Sequence, residues 1–169
     1  MNHGLACLGA VALLAASPAV ADKGPTDAQI AHIAYTAGTI DIAAAKQALA
    51  KSKSRPVRSF AQEMVRDHQA VNDKALALVK KLHVTPAANP TSQALSSKAA
   101  ATLHRLARLR GAALDRAYVK NEVAYHRTVN DALAKTLIPS ADNGELKSLL
   151  ETGLALFREH LAHAEHLAR

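Results

Sequence analysis

Apolar residues recur at helical spacing along almost the whole chain, and the pattern breaks only where proline and glycine cluster. No stretch reads as a strand, so the fold must be built from packed helices. Thr26-Asp27-Ala28-Gln29 has the form of a capping box, with Thr26 as N-cap and Gln29 reaching back. It opens a first helix to about Lys51, with Ile30, Ala34, Ala37, Asp41, Ala44 and Ala48 along one face. After the turn "KSKSRP", Pro56 suits the first turn of a second helix, which extends to about His83. Phe60, Met64, Val65, Val71, Leu76 and Val79 mark that helix, and Val84-Thr85-Pro86 stops it. A loop, "TPAANPTSQ", leads into a shorter helix from about Gln93 to Leu109.

The third long helix is predicted over Ala112 to Ile138, ended by Pro139, with Leu114, Tyr118, Glu122, Val129 and Leu133 along one side. Asp142-Asn143-Gly144-Glu145 caps a fourth long helix that runs to the C-terminus. Four long helices joined by short first and last turns make a four-helix bundle. The 28 residues 84–111 between the second and third are long enough to cross the bundle. The predicted fold is therefore all-α: a ferritin-like four-helix bundle with a long helical crossover, its second and third long helices parallel.

Ahead of this domain, Leu5 to Val20 is an apolar run followed by an A-x-A signal at Ala19 and Ala21. At 16 residues it is shorter than the roughly 20 that span a bilayer. The expectation is a signal peptide over residues 1–21, although "MNHG" lacks the usual basic residue. Cleavage after Ala21 would leave 148 residues, 22–169, as an exported, periplasmic domain with no transmembrane span. Cys7 falls within the signal, so thiolate metal sites are excluded and any ligand must be His, Asp or Glu. The net charge of +7 is scattered, with local clusters at "KSKSRPVR" and "HRLARLR", and aromatic residues are only 3% of the chain. That leaves little for stacking on bases, so nucleic acid is not the expected partner. An anionic envelope surface is the better candidate, beside a simple solubilising role for the charge.

In "MVRDHQAVN", His68 sits on the core-facing stripe of the second helix, where a leucine would pack better. His126 shares a stripe with Glu122, Val129 and Leu133, and His160 shares one with Gly153, Phe157, Ala164 and Leu167. With Asp41 on the first helix, each long helix presents one potential ligand inward. Counting residues from the turns sets Asp41 and His68 at one height, but His126 and His160 about 8 Å apart. Glu122, one turn from His126, could supply a ligand at another level. Carboxylate-bridged di-iron bundles use Glu-x-x-His, but Val65, Val123 and Phe157 stand three residues before the histidines, which argues against a dinuclear oxidoreductase. A mononuclear site for Zn, Cu, Ni or Fe is the expectation, with affinity falling below about pH 6 as imidazoles protonate. The alternative is a metal-free structural or stress-protective envelope protein whose buried histidines tie helices together.

Among the remaining groups, His160 and His163 are one turn apart and could chelate an ion at the surface. Asp67 lies about 100° round from His68 and is expected to meet water or to pair with Arg66 or a neighbouring lysine. His32, His83 and His104 read as ordinary helix-face or helix-end residues, and Tyr118 and Tyr125 as core. No nucleophile arrangement or phosphate-cradling loop is present, so no catalytic residue is assigned.

The segments "FAQEMVRDHQAVN", "LDRAYVKNEVAYH" and "REHL" together resemble the exported ferritin-like family known as domain of unknown function 4142. The resemblance covers about Thr26 to Leu167. It implies a ferritin-like bundle, an envelope location and histidines at positions matching His68, His126 and His160, with no established activity. The family usually has Glu where Asp41 stands and often Phe where Leu114 stands.

Overall fold

The computed structural model describes residues 24–169. The expected signal peptide, residues 1–21, lies outside the described residues. Every regular element described is helical. Helix α1, Asp27–Lys51, begins at the expected capping box: the Thr26 hydroxyl accepts from the Gln29 N–H, and the Gln29 side chain accepts from the Thr26 N–H. Helix α2, Arg55–Lys81, starts with Pro56 in its first turn and buries Val57, Phe60, Ala61, Met64, His68 and Asn72. Leu76 does not continue this stripe and is 44% exposed. At 100° per residue it has turned about 80° from His68, which leaves Ala75 and Val79 on the inner side.

Helix α3, Pro90–Ala107, fills the long connection. Its N-cap is Asn89, and its first residue, Pro90, is three residues earlier than the predicted start near Gln93. Both of its ends are fastened to α1. At one end the Ala87 N–H donates to Ala28 O at 2.9 Å and Asn89 Nδ2 donates to Gln29 O at 3.3 Å. At the other, Lys51 Nζ donates to Leu106 O at 3.1 Å and Ala107 O at 2.6 Å. So α3 runs alongside α1 in the same direction, returning the chain to the end where α2 began. Helix α4, Gly111–Ala132, therefore starts at that end and runs parallel to α2.

Pro139 does not end this helix. A π-helical turn over Leu133–Leu137 is followed by the short α5, Ile138–Ser140, with the Ile138 N–H donating to Leu133 O. Proline's ring crowds the carbonyl four residues back and cannot donate a hydrogen bond. A turn one residue wider relieves that crowding and lets the chain keep winding. Helix α6, Gly144–Leu167, is capped by Asn143, whose side chain accepts from the N–H groups of Glu145 and Leu146 at 2.9 and 3.0 Å. The Asp27 carboxylate accepts from the N–H groups of Asp142 and Asn143 at 3.0 and 2.9 Å, fixing the start of α6 beside the start of α1. None of the described helices is long and apolar enough to cross a membrane.

Helices α1 and α6 each pack on both α2 and α4. One apolar cluster joins Ala45, Phe60, Met64, Leu106, Leu114 and Tyr118, and a second joins Ile30, Ile33, Leu137, Leu150 and Phe157. The inward-facing polar residues lie between them along each helix. Gly38 governs the α1–α2 approach just beside this layer, because a Cβ there would lie 2.3 Å from Asn72 Oδ1 and 2.9 Å from its Cγ. Gly38→Leu is expected to cost about 1–3 kcal/mol by overpacking, or about 2–4 °C of melting temperature per kcal/mol. A melting temperature that stays the same or rises would show slack between the two helices.

Candidate metal centre

Asp41, His68, Glu122, His126 and His160 come together in one interior layer, none more than 2% exposed. The three imidazoles converge from three helices: ring centroids are 5.6 Å apart for His68–His126, 5.4 Å for His68–His160 and 5.4 Å for His126–His160. The 8 Å offset expected between His126 and His160 is therefore corrected. The helix carrying His126 persists to Ser140 and α6 begins at Gly144, so the two rings stand fourteen and sixteen residues from the connecting turn. At about 1.5 Å per residue that difference is about 3 Å.

The closest atoms form a triangle. His68 Nε2 and His126 Nε2 are 3.4 Å apart, and Asp41 Oδ2 lies 3.5 Å from the first and 3.7 Å from the second. Ligands about 2.0–2.1 Å from a tetrahedral ion are separated by about 3.3–3.4 Å, so the triangle has nearly the spacing of one coordination face. The ligand atoms of His68, His126 and His160 all lie within 4.8 Å of one another, as do those of Asp41, Glu122 and His126. These buried groups could hold a metal ion.

Outer contacts orient the rings. His126 Nδ1 is 3.1 Å from Glu122 O, one turn back on the same helix, and donating there leaves its Nε2 lone pair facing the triangle. His160 Nε2 is 3.1 Å from Asp67 Oδ2, a carboxylate–imidazole contact that orients the ring, and its Nδ1 is buried without a partner. The ring of Phe157 stacks on His68 at 4.5 Å and closes the layer from one side.

Burial dominates the electrostatics. It pushes His68 down to about 3 and His126 down to about 4, with the neighbouring imidazoles adding to the fall and Asp67 or Asp41 opposing it. Both rings are therefore neutral at neutral pH, the form that binds metal. Burial also raises the Asp41 carboxyl, offset only in part by His126, Glu122 and His160. Glu122 rises well above its ordinary value, through burial and then through Asp41. Among the described residues, both Asp41 oxygens, Glu122 Oε2, His68 Nδ1 and His160 Nδ1 are buried without a hydrogen-bond partner. Such groups are costly unless something polar or cationic meets them.

Two sequence expectations change here. Asp67 does pair with Arg66, at 2.7 and 3.0 Å, but it also holds His160 across the α2–α6 interface. Those hydrogen bonds keep its carboxyl below the usual range although burial acts the other way. His160 and His163 do not form a surface chelate: His160 is fully buried, and His163 Nδ1 pairs with Glu63 Oε2 at 2.8 Å. The Glu63–Asp67–His160 grouping, ligand atoms within 4.8 Å, went unforeseen. Its signal in the sequence is a pair of one-turn spacings, Glu63 with Asp67 and His160 with His163. Tyr118 is a core residue as expected, whereas Tyr125 is only part-buried. Tyr118 is fully buried, and the Tyr125 hydroxyl donates to Ala37 O at 2.8 Å.

A family model described as "Domain of unknown function (DUF4142)" matches residues 12–167. No curated protein and no solved structure matches the chain.

Proposed function

The chain belongs to the domain of unknown function 4142 family, and for this member we propose an exported, ferritin-like four-helix bundle that holds one divalent transition-metal ion. The ligands are His68, His126 and His160 with Asp41, and Glu122 assists as a second buried carboxyl beside Asp41. The observation that carries this reading is the 3.4–3.7 Å triangle of two imidazole nitrogens and a carboxylate oxygen in a layer closed to water. Imidazoles suit Zn, Cu, Ni and Fe, and the near-tetrahedral spacing favours Zn among them. An ion at the triangle would meet the orphaned Asp41 oxygen and supply the cation that the buried carboxyl lacks. The missing Glu-x-x-His pattern weighs against a dinuclear oxidase.

A metal-free structural role is the second reading. It is supported by the contacts His126–Glu122 and His160–Asp67, which the rings make without any ion. The orphaned atoms of Asp41, Glu122 and His68 weigh against it.

Native mass spectrometry of untagged protein from the exported fraction tests the proposal in one measurement. The expected mass is that of a chain beginning at Asp22 plus one transition-metal ion. A chain that keeps Met1 to Ala21 would remove the export reading. An ion-free chain that takes up none of the four metals would leave the structural one.

A further inference from the structure

Basic residues that are scattered along the sequence are gathered by the fold. The turn between α1 and α2, the turn between α3 and α4 and the last turn of α6 all lie at one end of the bundle. Lys51 joins the first two directly, its ammonium donating to Leu106 O and Ala107 O. Val57, Arg116, Lys120 and Ala168 line one surface hollow, which sets the last turn of α6 beside the starts of α2 and α4. Segments 51–58, 105–116 and 165–169 together carry nine Lys and Arg side chains against two acidic ones, Asp115 and Glu165. Glu165 is already paired, with Arg127 on the flank of the bundle at 2.6 Å. The whole excess of +7 therefore sits at this end, and the other twelve basic and twelve acidic side chains balance.

Part of this charge braces the fold. Lys51, Arg58 and Arg110 donate to carbonyls in the last turns of α1 and α3, where helix dipoles favour a cation. Lys53, Arg55, Arg105 and Arg108 are exposed. Partial desolvation, and then the neighbouring Arg110, hold the Lys51 ammonium below its ordinary value, so like charges crowd here. A crowded single-sign patch is matched by an anionic partner. Its layout selects which one. Helices α2 and α4 stand at diagonal corners, each packed on α1 and α6, so their basic starts spread the charge over the whole end. Two helix diameters make that face about 20–25 Å across. The helices meet it end-on and offer no flank that could lie in a nucleic-acid groove. None of the three segments has an aromatic residue to stack on bases. The exposed large apolar residues, Tyr35 and Leu76, lie elsewhere, so the contact is with charged headgroups and not with acyl chains.

We propose that this end of the bundle docks on an anionic lipid surface, with the helices upright on it and phosphate headgroups meeting Lys53, Arg55, Arg105 and Arg108. The docking face is separate from the metal layer and does not depend on an ion being held there.

The test is co-sedimentation with vesicles of phosphatidylglycerol and phosphatidylcholine in equal parts. The wild type should sediment with them at about 0.1 M salt and come off at about 1 M, where the screening length falls from about 10 to 3 Å. It should stay in solution with phosphatidylcholine alone. Two variants separate the place of the charge from its amount. Lys53→Gln/Arg55→Gln/Arg105→Gln/Arg108→Gln neutralises four exposed groups of this end and leaves the carbonyl-bound ones in place. Lys74→Gln/Lys80→Gln/Lys81→Gln/Lys135→Gln neutralises four exposed groups about 30 Å away and reaches the same net charge. A basic group at an anionic surface is worth about fivefold in affinity. The first variant should therefore bind at least about a hundredfold more weakly, and the second within about threefold of the wild type. Equal weakening by both would mean that net charge alone carries the binding, and overturns the proposal. So does wild-type protein that ignores the anionic vesicles, or binding that survives the high salt. Tighter binding to duplex DNA than to vesicles at equal phosphate concentration would assign the end to nucleic acid and overturn it as well.

Discussion

His126→Ala is expected to lower affinity for Zn by on the order of a thousandfold, about 4 kcal/mol. His126 is the ligand common to the histidine trio and to the Asp41–Glu122 grouping, so its removal opens both. The ring is also fully buried and hydrogen-bonded to Glu122 O, and deleting it should cost about 2–5 kcal/mol of stability. Loss of binding by that variant could therefore follow from loss of fold. Asp41→Asn separates the two. It keeps the shape of the side chain and removes a buried carboxyl whose oxygens have no partner. The ion-free form of Asp41→Asn should melt at or above the wild-type temperature while its Zn affinity falls by about tenfold or more. Calorimetry and thermal melts on the same samples would report both signs. An Asn variant that binds Zn as tightly as the wild type would remove Asp41 from the ligand set.

Metal affinity is expected to rise with pH through the neutral range, by up to about tenfold per unit for each proton released. From sequence alone, imidazole protonation below about pH 6 was the expected limit. The structure moves that limit. His68 and His126 are held at about 3 and about 4, so they carry no competing proton near pH 6. The competing proton belongs to the buried Asp41–Glu122 carboxyl pair: burial raises both, Glu122 well above its ordinary value, and the ion favours the ionised form. The sign follows directly: binding expels a proton from this pair, so raising pH favours it until the pair is ionised without the ion. Below about pH 4 the imidazoles protonate in turn, and the loss steepens. Titrations in buffers of differing ionisation enthalpy should show a net release of protons on binding near pH 6. Zero release, with affinity breaking near the free-imidazole value of about 6.5, would contradict this assignment.

The positions of His68, His126, His160 and Asp41 were legible because each interrupts an apolar stripe, and helical period alone decides which residues face inward. Their common height was not legible for His126 and His160. It depends on where α4 and α5 end, and the π turn at Leu133–Leu137 that carries the helix past Pro139 has no compositional mark. Asp67 was read only in part for a related reason: its pairing with Arg66 was expected, its contact with His160 was not. A residue 100° from the stripe can face water or a neighbouring helix, and only the packing of α2 on α6 decides which. The path of α3 was legible as a length but not as an attachment, since Lys51 reaching Leu106 and Ala107 is a contact across more than fifty residues. Ala34 and Gly153 were visible as small residues on inner stripes. Whether larger neighbours close over them is a property of assembled helices, which no local pattern contains.

The central claim is that imidazoles from three helices meet on one ion, and X-ray absorption at the zinc edge of protein loaded with one equivalent of Zn tests it directly. The account predicts an inner shell of about four N and O atoms at about 2.0–2.1 Å, with the multiple-scattering signature of three imidazoles. A shell made of oxygen alone, or one holding fewer than two imidazoles, would place the ion elsewhere and contradict it.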